Sequence, residues 1–301
     1  MEIIEEAAIR ELVTVASAQA AVHDAFCALA DGEVIAPPEF AMKLGNGGEL
    51  HIKGAYNGGQ VLAFKVATGQ FPSGKNSGFT SVVDASTGAP VALLQDGGWL
   101  TEMRTAAASA VTATALARPD SSKLAILGGG YQAGFQVAAL REAFPIDQVN
   151  VWSRTSETAQ RFASDHDADA ATSITTAVAG ADIIVCCTPS TEPLLSLEMV
   201  SPGTHVVAMG ADMVGKREVA ADLIEGADVL VCDSIAVAGH AGELQHMPAH
   251  HDRAIELGNL LTGRASGRTS AADITLADLC GLGVQDAAMA ELVMAQRASA
   301  G

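Results

Sequence analysis

The stretch Lys123-Leu-Ala-Ile-Leu-Gly128-Gly-Gly130-Tyr-Gln-Ala133-Gly134 decides the fold of this 301-residue chain. Its apolar residues 124–127 predict a buried strand that stops at the glycines, and the alanine-rich segment 132–144 predicts a helix. Gly128, Gly130 and Ala133 have the Gly-x-Gly-x-x-Ala spacing of a dinucleotide-binding turn. There the first glycine makes the turn, the second lets the backbone approach a pyrophosphate, and the third small residue lets helix and strand pack closely. The alternative is an ordinary strand-to-helix turn.

The second half of the chain alternates between strand and helix patterns. Further strands are predicted at 149–152, 183–187, 205–209 and 229–232, with helical patterns between them, for example at 156–166 and 218–223. Such alternation is typical of a parallel sheet in a Rossmann-type domain.

The first half has a different organisation. A helix is predicted over 7–30, broken near 14–17, and two hairpins pair 49–53 with 61–66 and 82–84 with 91–94. A helix at 101–117 precedes a linker at Pro119-Asp120. The glycine-rich and then helical segment 275–297 is of a kind that often folds back onto the first domain. We therefore predict an α/β protein with an α+β domain (1–118 and 274–301) and a Rossmann NAD(P)-binding domain (119–273).

Bulk composition excludes several classes of partner. The net charge of −18 disfavours nucleic acid and anionic membranes. Apolar runs fall short of the about 18 residues of a membrane span, and the N-terminus lacks the features of a signal peptide. The five cysteines form no CxxC pattern, which indicates buried thiols in a reducing cytoplasm rather than disulfides or a metal site.

Three cations and one carboxylate are candidates for chemistry. If Gly59 centres the first hairpin, Lys53 opposes Lys65, which is costly unless an anion binds there; alternatively the register is shifted by one residue. Arg104, expected in the first turn of its helix, suits a carboxylate ligand, or else lies on the helix surface. Asp212 follows a strand end, where open α/β sheets bind ligands, and could transfer protons; the alternative is a solvated loop aspartate.

Cofactor preference is expected to depend on the end of the second Rossmann strand. There Ser153-Arg154 supplies no carboxylate for a ribose 2′-hydroxyl, whereas Arg154 could pair with a 2′-phosphate, so NADP is favoured over NAD. Thr188 and Pro189 end a further strand and are expected beside the dinucleotide.

Several motifs together resemble the ornithine cyclodeaminase/μ-crystallin family, from about Pro37 to Ala298. They are Leu100-Thr-Glu-Met-Arg104-Thr105-Ala-Ala-Ala-Ser109, Ala181-Asp-Ile-Ile-Val-Cys-Cys-Thr188-Pro189-Ser190, Gly210-Ala-Asp212 with Lys216 and Glu218, and Gly281-Leu-Gly-Val-Gln285-Asp286. The resemblance implies a homodimer whose N-terminal domain, with the C-terminal helix, binds substrate and forms the dimer interface.

The resemblance also implies roles for individual residues. Lys65 matches the catalytic, substrate-binding lysine, Arg104 the arginine beside the substrate carboxylate and nicotinamide, and Asp212 the catalytic aspartate. Lys43 and Lys53 complete the predicted substrate-binding set. The predicted cofactor-binding set is Asn76, Arg104, Thr105, Gly128, Gly130, Tyr131, Gln132, Ala133, Ser153, Arg154, Thr188, Pro189, Met209, Gly210 and Lys216.

This chain departs from the usual family pattern near the hairpin. Lys43 stands where the family usually has an arginine, Lys53-Gly54-Ala55 replaces Met-Pro-Ala, and Ser153 replaces the acidic ribose residue. These forms look more like the branch with iminosuccinate reductase and ectoine-catabolism proteins. An additional lysine at the site would favour a second carboxylate on the substrate.

We therefore expect an NAD(P)H-dependent imine reductase or amino-acid dehydrogenase that acts on a small imino acid. One form of this expectation is a dicarboxylic imino acid. One alternative is deaminating cyclisation of ornithine to proline and ammonia. Another is an NADPH-binding protein without turnover, like μ-crystallin; the retention of Lys65, Arg104 and Asp212 argues against it.

Overall fold

The computed structural model describes residues 1–69, 71–72 and 77–300, which form two compact units. The first unit comprises Met1–Ala107 with Leu282–Gly301, and the second comprises Ala108–Gly281. The division at 107/108 falls inside a helix, whereas the predicted domain boundaries at 118/119 and 273/274 stay predictions.

The described part of the first unit is built on a six-stranded sheet of order β1-β6-β5-β4-β3-β2. All neighbouring strands are antiparallel except β1 and β6, which are parallel. Its elements before the C-terminal helix are β1 (Glu2–Glu5), α1 (Glu6–Leu12), α2 (Val15–Asp31), β2 (Phe40–Lys43), β3 (Glu49–Tyr56), β4 (Val61–Gly69), β5 (Ser77–Asp84), β6 (Pro90–Gln95) and α3 (Trp99–Leu116).

The predicted hairpins and the helix break are confirmed, and β1 was missed. Thr14 caps α2 through a capping box with Ser17, so the chain stops one helix and starts the next there. Helix α3 begins at Trp99, capped by Asp96, which accepts a hydrogen bond from the Leu100 amide. The prediction that Arg104 lies in the first turn was therefore wrong: it lies in the second.

The C-terminal helix (Gly283–Ala300) belongs to the first unit and packs against α2, β3 and β4. Its start touches β3 backbone to backbone: a Cβ added to Gly283 would lie 2.5 Å from the Gly54 carbonyl oxygen. Asn57 donates a hydrogen bond to the Val284 carbonyl, which fixes the helix start over the sheet.

The described part of the second unit contains an eight-stranded sheet of order β13-β12-β14-β11-β10-β7-β8-β9, with every neighbouring pair parallel. Its elements are β7 (Lys123–Leu127), α4 (Tyr131–Ala143), β8 (Gln148–Trp152), α5 (Ser156–His166), β9 (Asp169–Ala170), α6 (Ile174–Val178), β10 (Ile183–Cys186), β11 (His205–Ala208), α7 (Ala221–Gly226), β12 (Val229–Cys232), α8 (Ile235–Ala241), β13 (Ile255–Glu256), α9 (Leu257–Leu261) and β14 (Thr275–Asp278).

The sequence pattern predicts β7, β8, β10, β11 and β12 correctly, but it misses β9, β13 and β14 and places one helix start wrongly. Strand β14 is fully buried between β11 and β12, whereas the sequence suggested only a glycine-rich segment there. The helix predicted at 218–223 begins at Ala221, and Glu218 precedes it in extended chain. Because parallel strands buried on both faces read as continuous apolar runs, the short Thr-Leu-Ala-Asp strand gave little signal.

A continuous apolar core supports the second unit's sheet. Buried side chains from successive strands, including Leu127, Ile184, Val206, Leu230 and Leu276, form one cluster. The carboxyl ends of these strands are thereby held in fixed positions, and the loops that follow them begin from a rigid base.

Within the described residues, no single helix has the length and apolar composition needed to cross a membrane. The adjacent helices α1 and α2 meet those criteria only as a pair, with an 82° bend between them.

Candidate active site

The glycine loop joins β7 to α4 in the way that the sequence predicts. Gly128 has a φ of 112°, and a Cβ there would lie 2.7 Å from the Cys187 carbonyl oxygen, so only glycine fits. Gly130 is the N-cap of α4, and a Cβ added there would meet no heavy atom within 4 Å. The start of the helix therefore faces open space, as an anion-binding helix N-terminus must.

A cavity of about 430 Å³ lies beside this loop, at the carboxyl ends of β7, β8 and β10. Its lining is Gly128, Gly129, Gly130, Trp152, Ser153, Arg154, Thr155, Thr158, Cys187, Thr188, Pro189, Ser190 and Leu194. Backbone at a helix start, several hydroxyls and one guanidinium are the donors that phosphate and ribose groups require. The residues present thus fit a dinucleotide.

Six of the predicted cofactor-binding residues line this cavity. They are Gly128, Gly130, Ser153, Arg154, Thr188 and Pro189. Tyr131 and Gln132 begin α4, and Ala133 is buried beneath the loop. Met209, Gly210 and Lys216 lie in the loops after β11, and Arg104 and Thr105 lie in the first unit. Asn76 lies outside the described residues.

A buried glutamate to which the sequence analysis assigned no role joins two of the loops that follow the strands. Glu218 accepts hydrogen bonds from the Thr188 amide (2.6 Å) and hydroxyl (2.7 Å) through one oxygen, and from the Gly210 amide (2.7 Å) through the other. Burial raises the pKa of Glu218 to about 7, although these hydrogen bonds oppose the shift. Its carboxylate fixes Thr188, a cavity residue, relative to Gly210.

Two more buried carboxylates, Glu243 and Asp278, belong to the surroundings of Glu218. Glu243 accepts hydrogen bonds from the amides of Glu218 and Val219, and Asp278 accepts one from the Leu244 amide. Burial raises the pKa of Glu243 to about 8 and that of Asp278 to about 7. Each of these three buried carboxylates thus holds backbone amides of the second unit in place.

Asp212 and Lys216 form an ion pair in the loop after β11. Lys216 Nζ lies 2.6 Å from Asp212 Oδ1, and the aspartate side chain is 46% exposed. An accessible carboxylate with an ammonium partner can accept or deliver a proton, so this finding is compatible with the predicted role of Asp212.

The first unit contains a buried cluster of two cations and one carboxylate. Asp286 Oδ1 lies 2.8 Å from Lys65 Nζ and 3.2 Å from Arg104 Nε, and all three residues are almost fully buried. Asp286 Oδ2 is buried, and within the described chain it has no hydrogen-bond partner. Its three residues come from β4, α3 and the C-terminal helix, which are distant in sequence.

Burial lowers the pKa of Lys65 to about 8 and outweighs the attraction of Asp286, which raises it. Burial also acts to raise the pKa of Asp286, but the charges of Lys65 and Arg104 hold it below its usual value. Two buried cations that share one carboxylate oxygen are suited to bind an added carboxylate.

The predicted hairpin register is confirmed: Lys53 pairs directly with Lys65, and the one-residue shift is excluded. Each lysine has a protein carboxylate beside it, Asp286 for Lys65 and Glu39 for Lys53, the latter at 3.2 Å. Lys43 is 73% exposed and lies 3.5 Å from Glu49. The sequence analysis expected cations here but did not find their acidic partners.

Neither Asp286 nor Glu39 has a local sequence signal of function. Asp286 is part of the segment 281–286, which supports the resemblance without implying a role. Across the described residues, no group of three or more His, Cys, Asp or Glu side chains could hold a metal ion.

The model of the ornithine cyclodeaminase/mu-crystallin family matches residues 2–301. The chain belongs to this family. Among its relatives is the iminosuccinate reductase of Paracoccus denitrificans, 31% identical over 98% of this chain and 96% of that protein. The family recognised from the sequence motifs is thus confirmed.

Solved structures of family members have the same fold over the whole chain. The iminosuccinate reductase in complex with NAD+ has a TM-score of 0.91, 30% identity, and coverage of 100% of this chain and 97% of that chain. An archaeal alanine dehydrogenase dimer with bound NAD has a TM-score of 0.90 and 28% identity, with coverage of 100% and 97%. The Δ1-pyrroline-2-carboxylate reductase of Thermococcus litoralis, with NADH and L-proline, has a TM-score of 0.94 and 26% identity, with coverage of 100% and 98%.

These members confirm the predicted α/β class with a Rossmann-type unit. The family contains NAD(P)-dependent imine reductases and cyclodeaminases, and the three solved structures described above carry NAD, NAD+ or NADH. Its relatives are NAD(P)-dependent oxidoreductases or cyclodeaminases, which supports an enzymatic function for this chain.

Proposed function

We propose that this protein is an NAD(P)H-dependent imine reductase or amino-acid dehydrogenase that interconverts a small imino acid and its L-amino acid. The observation that carries the proposal is the buried cluster of Lys65, Arg104 and Asp286. Two buried cations sharing a single carboxylate suit an α-carboxylate, the group common to amino and imino acids.

Lys65 and Arg104 bind and orient the substrate carboxylate in this proposal. Asp286 holds both cations in place, so little side-chain entropy is lost when the substrate binds. Such preorganised charge is worth about 3–4 kcal/mol for each key group that it stabilises in the transition state. Substrate and carboxylate-binding cations would thus be aligned before the chemical step.

Bound NAD(P)H would supply the hydride that reduces the imine carbon. The glycine loop 128–130, Ser153, Arg154 and Thr188 would hold the dinucleotide, and Glu218 would keep Thr188 in place. Asp212 forms an ion pair with Lys216, and it is proposed to exchange the proton with the substrate nitrogen.

The proposed preference for NADP is supported by Arg154, which is exposed at the cavity beside Ser153. A guanidinium there can form a bidentate contact with a 2′-phosphate. A homodimer is also proposed, because a structurally similar archaeal alanine dehydrogenase is a dimer; light scattering of the purified protein tests this.

Cyclodeamination is the second candidate, favoured by Glu39, a carboxylate beside Lys53 that could bind a side-chain amine. In that reaction hydride transfer from ornithine to NAD(P)+ would form an imine, and attack by the side-chain amine would expel ammonia and leave a cyclic imine. Return of the hydride would reduce this cyclic imine to proline without net consumption of cofactor. The same residues would serve both reactions, so only product analysis separates them.

The test supplies NADH or NADPH, ammonium and a panel of 2-oxo acids, and follows the absorbance of the reduced cofactor. In parallel, ornithine with catalytic NAD(P)+ is assayed for proline and ammonia. Consumption of cofactor with a 2-oxo acid, lost in Lys65→Met and Arg104→Met, supports the reductase. Proline formation without net cofactor change supports cyclodeamination, and cofactor binding without either reaction overturns both.

A further inference from the structure

The edge of the first unit's sheet carries an alternating row of cations and carboxylates. Glu49 lies between Lys43 (3.5 Å) and His51 (4.0 Å). Glu39 lies between His51, at 2.5 Å, and Lys53, at 3.2 Å. The row ends at Lys53, which pairs across the hairpin with Lys65 of the buried cluster.

Lys53 is adjacent to the substrate-binding cations because of the hairpin register. It pairs directly with Lys65 across β3 and β4, and directly paired residues project from the same face of a sheet. The charge of Lys53 contributes to the lowered pKa of Lys65, after the larger effect of burial, as expected for neighbouring cations. When Lys65 holds the carboxylate of a substrate, the side chain of that substrate would thus lie within reach of the Lys53–Glu39 pair.

Glu39 remains ionised over the whole working range of pH. Partial burial would raise its pKa, but the hydrogen bond from His51 and the charge of Lys53 lower it to about 2. The carboxylate of Glu39 therefore already neutralises the cation that a second substrate carboxylate would need, and it repels a second anion.

We propose that Glu39 is a specificity-determining residue that, by pairing with Lys53, restricts the substrate to imino acids with a single carboxylate. This inference rests on the proposed function, since it concerns the substrate held by Lys65 and Arg104. It names the class: 2-imino acids whose side chain bears no negative charge. Removal of the Glu39 charge would take away the carboxylate that pairs with Lys53 and would admit dicarboxylic substrates.

The experiment compares pyruvate with oxaloacetate in ammonium-dependent NAD(P)H oxidation by the wild type and Glu39→Gln. We expect the wild type to prefer pyruvate, and the oxaloacetate-to-pyruvate ratio of kcat/KM to rise at least about tenfold in Glu39→Gln. The double variant Glu39→Gln/Lys53→Gln should lose this gain, because no cation is then released. An unchanged ratio in folded Glu39→Gln overturns the inference.

A binding measurement separates failure of the inference from failure of the proposed function. Calorimetry with succinate and propionate, which need no turnover, should show a selective gain for succinate in Glu39→Gln that the double variant lacks. Wild-type preference for succinate over propionate overturns the inference even where turnover occurs. Absence of turnover with every 2-oxo acid, together with the succinate gain, overturns the proposed reaction but supports the role of Glu39.

Discussion

Lys65 and Asp286 are 221 residues apart in the chain and form a buried ion pair of 2.8 Å within the first unit. The pair exists because the C-terminal helix starts against β3, with Gly283 touching Gly54, and places Asp286 in its first turn. A carboxylate in the first turn is also stabilised by the helix dipole. The same oxygen serves Arg104, so one residue organises both proposed substrate cations.

Asp286→Asn should destabilise the protein strongly. It removes the negative charge that contacts both the buried ammonium of Lys65 and the buried guanidinium of Arg104, so the free energy of unfolding should fall by about 3–5 kcal/mol. Denaturant titration measures the loss. Added acetate should raise the thermal midpoint of this variant more than that of the wild type, because the unpaired cations bind the anion.

The matched control for this prediction is Asp24→Asn, which removes a carboxylate that is 83% exposed beside His23. Its effect should stay within about 0.5 kcal/mol. Equal stability of the two variants would show that Asp286 contributes little to holding the cations.

Carboxylate binding should weaken as the pH rises through about 8. Burial lowers the pKa of Lys65 to about 8, so its ammonium loses the proton there and one of the two cations no longer attracts the carboxylate. The affinity for propionate, measured by calorimetry between pH 6 and 10, should fall about tenfold. Lys65→Arg keeps its charge and should remove this step; a step that persists in Lys65→Arg would assign the titration to another group.

Glu218→Gln should weaken cofactor binding about tenfold at pH 8. Ionised Glu218 accepts hydrogen bonds from Thr188 through one oxygen and from Gly210 through the other, whereas a carboxamide has only one oxygen to accept them. Fluorescence titration with NADH or NADPH measures the dissociation constant. Glu225→Gln, an exposed carboxylate on α7, is the control and should leave it unchanged. Full affinity in Glu218→Gln would exclude a positioning role.

The same variant should change the pH dependence of stability. Folded Glu218 has a pKa of about 7, above the 4.5 of an ordinary glutamate, so between these values the folded state binds more protons than the unfolded chain. Its contribution to stability is therefore present below pH 4.5 and is lost as the pH rises to about 7. Glu218→Gln should lose less stability than the wild type over this range, as thermal unfolding at several pH values would reveal.

Arg154→Ala should weaken NADPH binding about tenfold or more and leave NADH binding nearly unchanged, because only the former has a 2′-phosphate for the guanidinium. Arg161→Ala, another exposed arginine, on α5, controls for the loss of one surface charge. Equal losses for the two cofactors in Arg154→Ala would remove the structural argument for NADP.

Local sequence patterns predicted those elements whose type and position are set by residues close to them in the chain. The glycine loop at 128–130, the hairpin register that pairs Lys53 with Lys65, and the break between α1 and α2 were all correct. Each depends on neighbours within about twelve residues: apolar periodicity, turn glycines or a capping residue. Strand β14 was missed because its burial derives from strands that precede it by 40 residues or more.

The sequence by itself determined the family, the two-part α/β architecture and the cations of the candidate site. Only the tertiary structure decided which carboxylate partners each cation: Asp286 joins Lys65 and Arg104, Glu39 joins Lys53, and Glu218 links Thr188 to Gly210. The physical reason is that charge pairing in a buried site depends on distance in space, set by helix docking and strand pairing. No periodicity along the chain encodes that distance.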